Sequence, residues 1–239
     1  MSTLRLDKYL ADMKIGTRSE VKSYIKKRMV LVNGSVVVLP QQKVNLENDA
    51  ILFQGKEITY TKYEYYMLHK PAGFVSATKD NVNETVVSLI PSLKDIFPVG
   101  RLDKDTEGLL LLTNDGELAH NLLSPKKHVQ KTYFARIEGH VMKEDIECFL
   151  QGIDIGDATK TLPAHLCILE SGEISEVHIT ICEGRFHQIK RMFQAINKNV
   201  IYLKRISMGD LILDKDLPIG EYRKLTSKEV EKLRKGNEK

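Results

Sequence analysis

Residues 100–116 read GRLDKDTEGLLLLTNDG. An Arg-Leu-Asp tripeptide ends in an acid, Asp103, and Gly108 then leads four consecutive leucines into an Asn-Asp-Gly turn. The leucines predict a buried strand, and an acid presented from a loop onto such an apolar wall is well placed for chemistry. Three acids precede the leucines (Asp103, Asp105 and Glu107), and spacing alone does not choose between them. A turn or helix cap formed by Asp103 ahead of a structural strand is the competing reading. Asp103, Asp105, Glu107 and Gly108 also mimic positions 1, 3, 5 and 6 of a calcium loop. Position 12 is Asn114 rather than Glu, however, and no amphipathic helix leads in, which excludes that site. A glycosidase needs two carboxyls flanking a sugar bond, and no second candidate stands out.

Outward from this stretch, short apolar strands dominate. YYMLHKPAGF (65–74) predicts a strand ending at a Pro-x-Gly turn, KTYFARI (131–137) another, and VHITIC (177–182) alternates with period two. Ile189, Met192, Phe193 and Ile196 have helical spacing, so HQIKRMFQAIN predicts an amphipathic helix. A last helix around Ser227–Lys235 reads as peripheral. Strands with interspersed helices predict an α+β fold with a mostly antiparallel mixed sheet.

The N-terminal segment has a different character. Thr17 and Glu20 form a Thr-x-x-Glu helix start, with Val21, Tyr24 and Ile25 on one face and Arg18, Lys22, Lys26, Lys27 and Arg28 largely off it. A shorter helix is predicted at Leu6–Met13, with Leu6, Leu10 and Met13 inward. VLVNGSVVV (30–38) carries the Asn-Gly signal of a two-residue hairpin. QGKEITYTKY (54–63) reads as a polar linker, which sets domains at 1–58 and 59–239.

The chain has 239 residues and a net charge of +4. Residues 1–28 hold eight Lys/Arg against three Asp/Glu, so the basic surplus is concentrated there. Such asymmetry points to a polyanion-binding module joined to a near-neutral body. There is no apolar run long enough for a membrane span, and charges throughout the first 30 residues argue against a secretory signal. Cys148, Cys167 and Cys182 lack metal spacing and read as buried thiols of a reducing cytoplasm. His178, Cys182 and His187 match no zinc pattern.

LRLDKYL followed by TRSEVKSYIKKRMVLVNGSVV, over roughly residues 4–50, resembles the S4 RNA-binding module. That resemblance implies RNA contacts from Arg5, Lys8, Arg18, Lys22, Lys26, Lys27 and Arg28. Arg28 stands where the family often has Gly, so a positive φ there would be strained. GRLDKDTEGLLLLTNDG together with GRFHQIKRMF (184–193) resembles the pseudouridine synthases, in the branch that modifies bacterial ribosomal RNA. YYMLHKPAGFVSAT and GEYRKLTSKEV extend the resemblance nearly end to end, toward the members acting on small-subunit RNA.

The resemblance selects Asp103 as the essential acid of an isomerase that needs no metal or organic cofactor. It implies Arg185 as the fixed cation that keeps this acid ionised against its apolar wall, and Tyr133 as the ring that stacks on a flipped-out uracil. Arg101 would probe the vacated stack, with His187, Ile189, Lys190 and Arg191 as further substrate contacts and Lys70, in a Lys-Pro-x-Gly turn, chiefly structural with some RNA contact. Lys190, Arg191, Lys204 and Arg205 would extend an RNA track from the pocket and rank below Arg185. The expected partner is ribosomal RNA, small-subunit before large-subunit, bound by a cytoplasmic monomer. The alternative is a non-catalytic S4-bearing assembly factor, against which the intact Asp103, Tyr133 and Arg185 positions argue.

Overall fold

The computed structural model describes residues 3–92 and 94–235. It divides into two compact units, Met1–Glu64 with Ser92–Asp95, and Tyr65–Pro91 with Ile96–Lys239. In the first unit a short strand β1 (Thr3–Arg5) leads into helices α1 (Leu6–Asp12) and α2 (Arg18–Lys26). α2 starts where its sequence predicts: the Glu20 amide donates to Thr17 Oγ1, and the Thr17 amide donates to Glu20 Oε2 at 2.7 Å. Val21 and Ile25 are fully buried. Strands β2 (Val30–Val32) and β3 (Ser35–Val36) are joined through Asn33 and Gly34 at φ 51° and 77°, the positive pair that a tight hairpin requires. Arg28 adopts φ 61°, so the strain anticipated for a non-glycine residue is present, at roughly 1–2 kcal/mol.

Strand β4 (Lys43–Asn45) pairs with β1, while β5 (Ile51–Phe53) lies between β2 and β6 (Lys56–Glu57). The linker expected at 54–63 is not one. Gln54 and Gly55, at φ 52° and 78°, turn a second hairpin. Ile58 and Tyr60 then pack on the unit's core, where the Tyr9 hydroxyl donates to the Ile58 carbonyl at 2.5 Å. The polar QGKE composition reflects an exposed hairpin tip.

The second unit is built on β7 (Tyr65–Lys70), β8 (Phe97–Pro98), β9 (Glu107–Thr113), helix α3 (Gly116–Leu123), β10 (Lys131–Glu138), α4 (Lys143–Gln151), β11 (His165–Glu170) and β12 (Ile174–Ile181). Then follow α5 (Gln188–Ala195), β13 (Asn199–Met208), β14 (Leu211–Ile212), β15 (Tyr222–Lys224) and α6 (Ser227–Lys235). The strands form one sheet in the order β11-β12-β10-β13-β9-β7-β15, with β8 on β9 and β14 on β13. Every pairing is antiparallel except β9 with β13.

The leucine run is β9, and it explains the layering. Leu110 and Leu112 enter a core with Phe149, Ile189, Met192 and Phe193 of α4 and α5. Leu109 and Leu111 enter another with Leu118 and Leu122 of α3 and Leu233 of α6. A strand covered on both faces has no polar side to present, hence the unbroken run. Gly108 lets β9 meet β13: at φ 104° an added Cβ would lie 2.3 Å from the Arg205 carbonyl oxygen. The Asn-Asp-Gly sequence begins α3, Asp115 accepting from the Leu118 amide at 3.1 Å.

Two further expectations are corrected. α6 is not peripheral, since Leu233 is buried and Arg234 donates to Asp115 at 2.6 Å and to the Tyr65 hydroxyl at 2.8 Å. The cysteines are free but not core thiols: Cys148 and Cys167 are exposed and Cys182 is half-buried. Among the described residues no helix is long and apolar enough to cross a membrane.

Candidate active site

The loop carrying Asp103 is fastened by the chain that leaves β7. Lys70 is fully buried, and its Nζ donates to the carbonyls of Pro71, Asp103, Lys104 and Thr106 at 2.8–3.3 Å. Burial pulls this ammonium down to about 8, against the pull of Asp105 and Asp103. Ser76 Oγ donates to the Leu102 carbonyl at 2.9 Å and accepts from the Leu102 amide at 3.0 Å. The Gly73 amide donates to the Lys104 carbonyl at 2.7 Å. Lys70 is therefore a strut for the loop, consistent with the structural role expected for its turn, while the RNA contact also expected of it is corrected, since the side chain has no surface to offer.

So held, the half-buried Asp103 carboxylate faces α5. Lys190 Nζ lies 3.5 Å from one oxygen, and His187 Nε2 lies 3.7 Å from the other. Lys190 also donates to both oxygens of Asp105 at 2.7 and 2.8 Å. Burial opposes ionisation of Asp105, but this ammonium outweighs it and holds the carboxyl below its ordinary value.

Arg185 does not reach Asp103. Its guanidinium donates to Glu183 at 3.0 Å, to Asp157 at 3.4 Å, to Thr159 at 2.7 and 3.3 Å, and to the Lys160 carbonyl at 2.8 Å. The cation near Asp103 is Lys190 rather than the expected Arg185; between them His187, at φ 48°, caps the start of α5. Arg191 is likewise committed elsewhere, to Asp157 at 2.6 Å and to the carbonyls of Ile155 and Phe186. It does not line the cleft.

The cleft has a volume of about 810 Å³. Arg101 stands exposed on its rim, and Ile189, Ile181 and Leu203 supply apolar wall. Tyr133, 7% exposed, lines it from β10 and is the register partner of Arg205 on β13. Arg205 is 2% exposed; its Nε donates to the Leu109 carbonyl at 2.8 Å, while Nη2 has no acceptor among the described residues. Burial and then Arg205 lower the neighbouring Lys131 from its ordinary value. One wall is thus cationic and only partly satisfied, which suits acceptor groups entering the cleft.

Arg205, expected only as a lower-ranked extension of the RNA track, is a buried part of the cleft wall, and Ser76, Gln188 and the Asp157–Lys160 loop carry no signal in the sequence. Gln188 is 4% exposed and bonds Glu183 and the Arg185 amide. A composition of ordinary loop residues gave no signal for Asp157 or Thr159. No group of three or more His, Cys, Asp or Glu that could hold a metal occurs among the described residues.

Residues 64–195 match the family described as RNA pseudouridylate synthase. The chain belongs to that family. Residues 4–51 match the S4 domain. The RNA pseudouridine synthase YtzG of Bacillus subtilis is 43% identical over 96% of this chain and 98% of that protein. Ribosomal small subunit pseudouridine synthase A of Vibrio parahaemolyticus is 40% identical over 96% and 99%, and that of Haemophilus influenzae 39% over 96% and 99%. A crystal structure of a pseudouridylate synthase superimposes with a TM-score of 0.68 at 39% identity, covering 96% of this chain and 99% of that one. As a pseudouridine synthase the chain is an isomerase, and the cleft with Asp103, Tyr133 and Lys190 lies in the domain that defines the family.

Proposed function

We propose that this pseudouridine synthase isomerises one uridine of the small-subunit ribosomal RNA, acting as a monomer. The observation that carries the chemistry is the half-buried Asp103 carboxylate at the cleft, within 3.7 Å of two cationic or protonatable nitrogens. The small-subunit assignment rests on relatives of that name, near 40% identical along the whole chain. The reaction breaks the bond from N1 of uracil to C1′ of ribose and reforms it through C5, so the base must first leave the helix. Asp103 acts at the ribose, on C1′ or on the C2′ proton. Lys190, 3.5 Å away, stands beside it as the fixed cation, in the position the sequence resemblance assigned to Arg185. Tyr133 packs against the flipped base, and Arg101 on the rim enters the vacated position. The exposed cations of the S4 unit grip phosphates without reading sequence.

Incubating the protein with transcribed small- and large-subunit ribosomal RNA, then mapping pseudouridine by carbodiimide labelling and primer extension, tests this. One new stop in the small-subunit RNA is expected. A stop only in the large-subunit RNA would overturn the substrate, and none in free RNA or partly assembled subunits would overturn the activity.

A further inference from the structure

Phe186 is 76% exposed, yet it lines the same cleft as Asp103. One face of its ring is covered by His187, with centroids 3.8 Å apart and planes inclined by 19°. His187 in turn reaches to 3.7 Å from Asp103. A ladder of groups therefore runs outward from the acid: carboxylate, imidazole, then a phenyl ring whose other face is open.

The segment that presents this ring is fastened far more heavily than an ordinary surface turn. Arg185, on one side of Phe186, is pinned by Glu183, Asp157, Thr159 and Lys160. Gln188 braces it from the other side by bonding Glu183 and the Arg185 amide, both at 2.9 Å. Arg191 donates to the Phe186 carbonyl itself at 3.2 Å. His187 is held at φ 48°, a left-handed conformation that a non-glycine residue keeps only when its surroundings over-determine it. Core packing does not account for this effort, because Phe186 belongs to none of the three buried clusters.

A rigid, open aromatic face at the mouth of an RNA cleft matches one component of the substrate. Phosphates and riboses have no flat apolar surface; a nucleobase does, and it stacks on aromatic side chains irrespective of its identity. When a uridine is flipped out, the base next to it loses a stacking partner. We infer that Phe186 replaces that partner, so that the neighbouring base, Phe186 and His187 form one continuous stack beside Asp103. Arg185 acts through this loop as a positioning residue. The inference rests on the RNA-modifying reading above and adds which part of the RNA this rim holds.

The test uses the full-length chain and an RNA fragment spanning the mapped uridine, with 2-aminopurine placed on its 5′ or its 3′ side. Binding to the Asp103→Asn protein should quench one of the two labels. Phe186→Leu in that background should abolish the quenching and weaken affinity roughly tenfold, whereas Phe186→Trp should retain both. Unchanged quenching and affinity at both positions in Phe186→Leu would overturn the inference. Failure of the underlying reading looks different: the wild-type chain would form no pseudouridine in the unlabelled fragment.

Discussion

In the S4 unit, Arg18, Lys22, Lys26, Lys27 and Arg28 stand exposed along and just beyond α2, and none forms an ion pair among the described residues. Around the cleft of the second unit most cations are committed: Lys70 to four carbonyls, Lys190 to Asp103 and Asp105, Arg185 to Asp157 and its loop. Unpaired cations on a helix face can adapt to any phosphate backbone and are screened by salt. Paired ones fix geometry and contribute little net attraction at a distance. The same two residue types thus stand exposed on a helix face in one unit and locked into fixed geometry in the other. Arg5 and Lys8 mark the boundary, since Asp7 and Asp12 already hold them in the S4 unit. Replacing Arg5 or Lys8 should therefore weaken RNA binding less than replacing the exposed cations of α2.

The sharpest way to break this contrast is at the acid. Lys190→Met should lower kcat by roughly 10²–10³-fold, the usual effect of removing a preorganised charge, with RNA affinity nearly intact. Arg185→Lys should cost about tenfold, since it loosens a loop rather than stripping Asp103 of its partner. Single-turnover rates would decide, and a larger loss in Arg185→Lys would return the pairing to Arg185. Next, Gly108→Ala should destabilise the chain by about 2–4 kcal/mol in urea unfolding, because a Cβ would meet the Arg205 backbone. A change within 0.5 kcal/mol, on the order of an ordinary surface substitution, would show that β9 and β13 can separate without penalty.

Replacing both Lys26 and Lys27 by Gln should leave kcat alone and make the salt dependence of RNA binding shallower by about 1–2 in log–log slope. An unchanged slope would mean that the exposed cations are idle. The smallest effect is in pH. The folded chain releases the Lys70 proton near about 8, and the unfolded chain near the ordinary 10.5. Between these values the unfolded state binds more protons, so stability rises with pH; below about 8 the burial penalty is fully present. Activity should move the other way, falling as pH rises through about 8, because a neutral amine has fewer protons for the loop carbonyls. Stability and kcat falling together would contradict this sign.

Periodicity made much of the architecture legible. The Thr17–Glu20 box, the Asn33–Gly34 hairpin, the alternation of VHITIC and the spacing of Ile189, Met192 and Phe193 each depend on neighbours in the chain, and each appears as expected. What depends on distant partners was not legible. Arg185 and Lys190 lie five residues apart in one basic motif, with a left-handed His187 between them that no composition announces. The partners of Arg185 come from a loop at 157–160 with no pattern of its own. The exposure of Cys148 and Cys167 depends on which sheet and helix faces stay uncovered, again a property of the assembled fold. QGKE could not be told from a linker because a hairpin tip and a linker share the same polar residues.

The central claim is that Asp103, held by Lys70 and companioned by Lys190, performs the chemistry while other residues bind. Its most direct test is a single-turnover assay of Asp103→Asn on the mapped small-subunit RNA, with affinity measured on the same preparation. The account predicts no detectable pseudouridine and an affinity within about twofold of wild type, since removing one exposed-edge charge alters few phosphate contacts. Pseudouridine formed at a rate near wild type would contradict it.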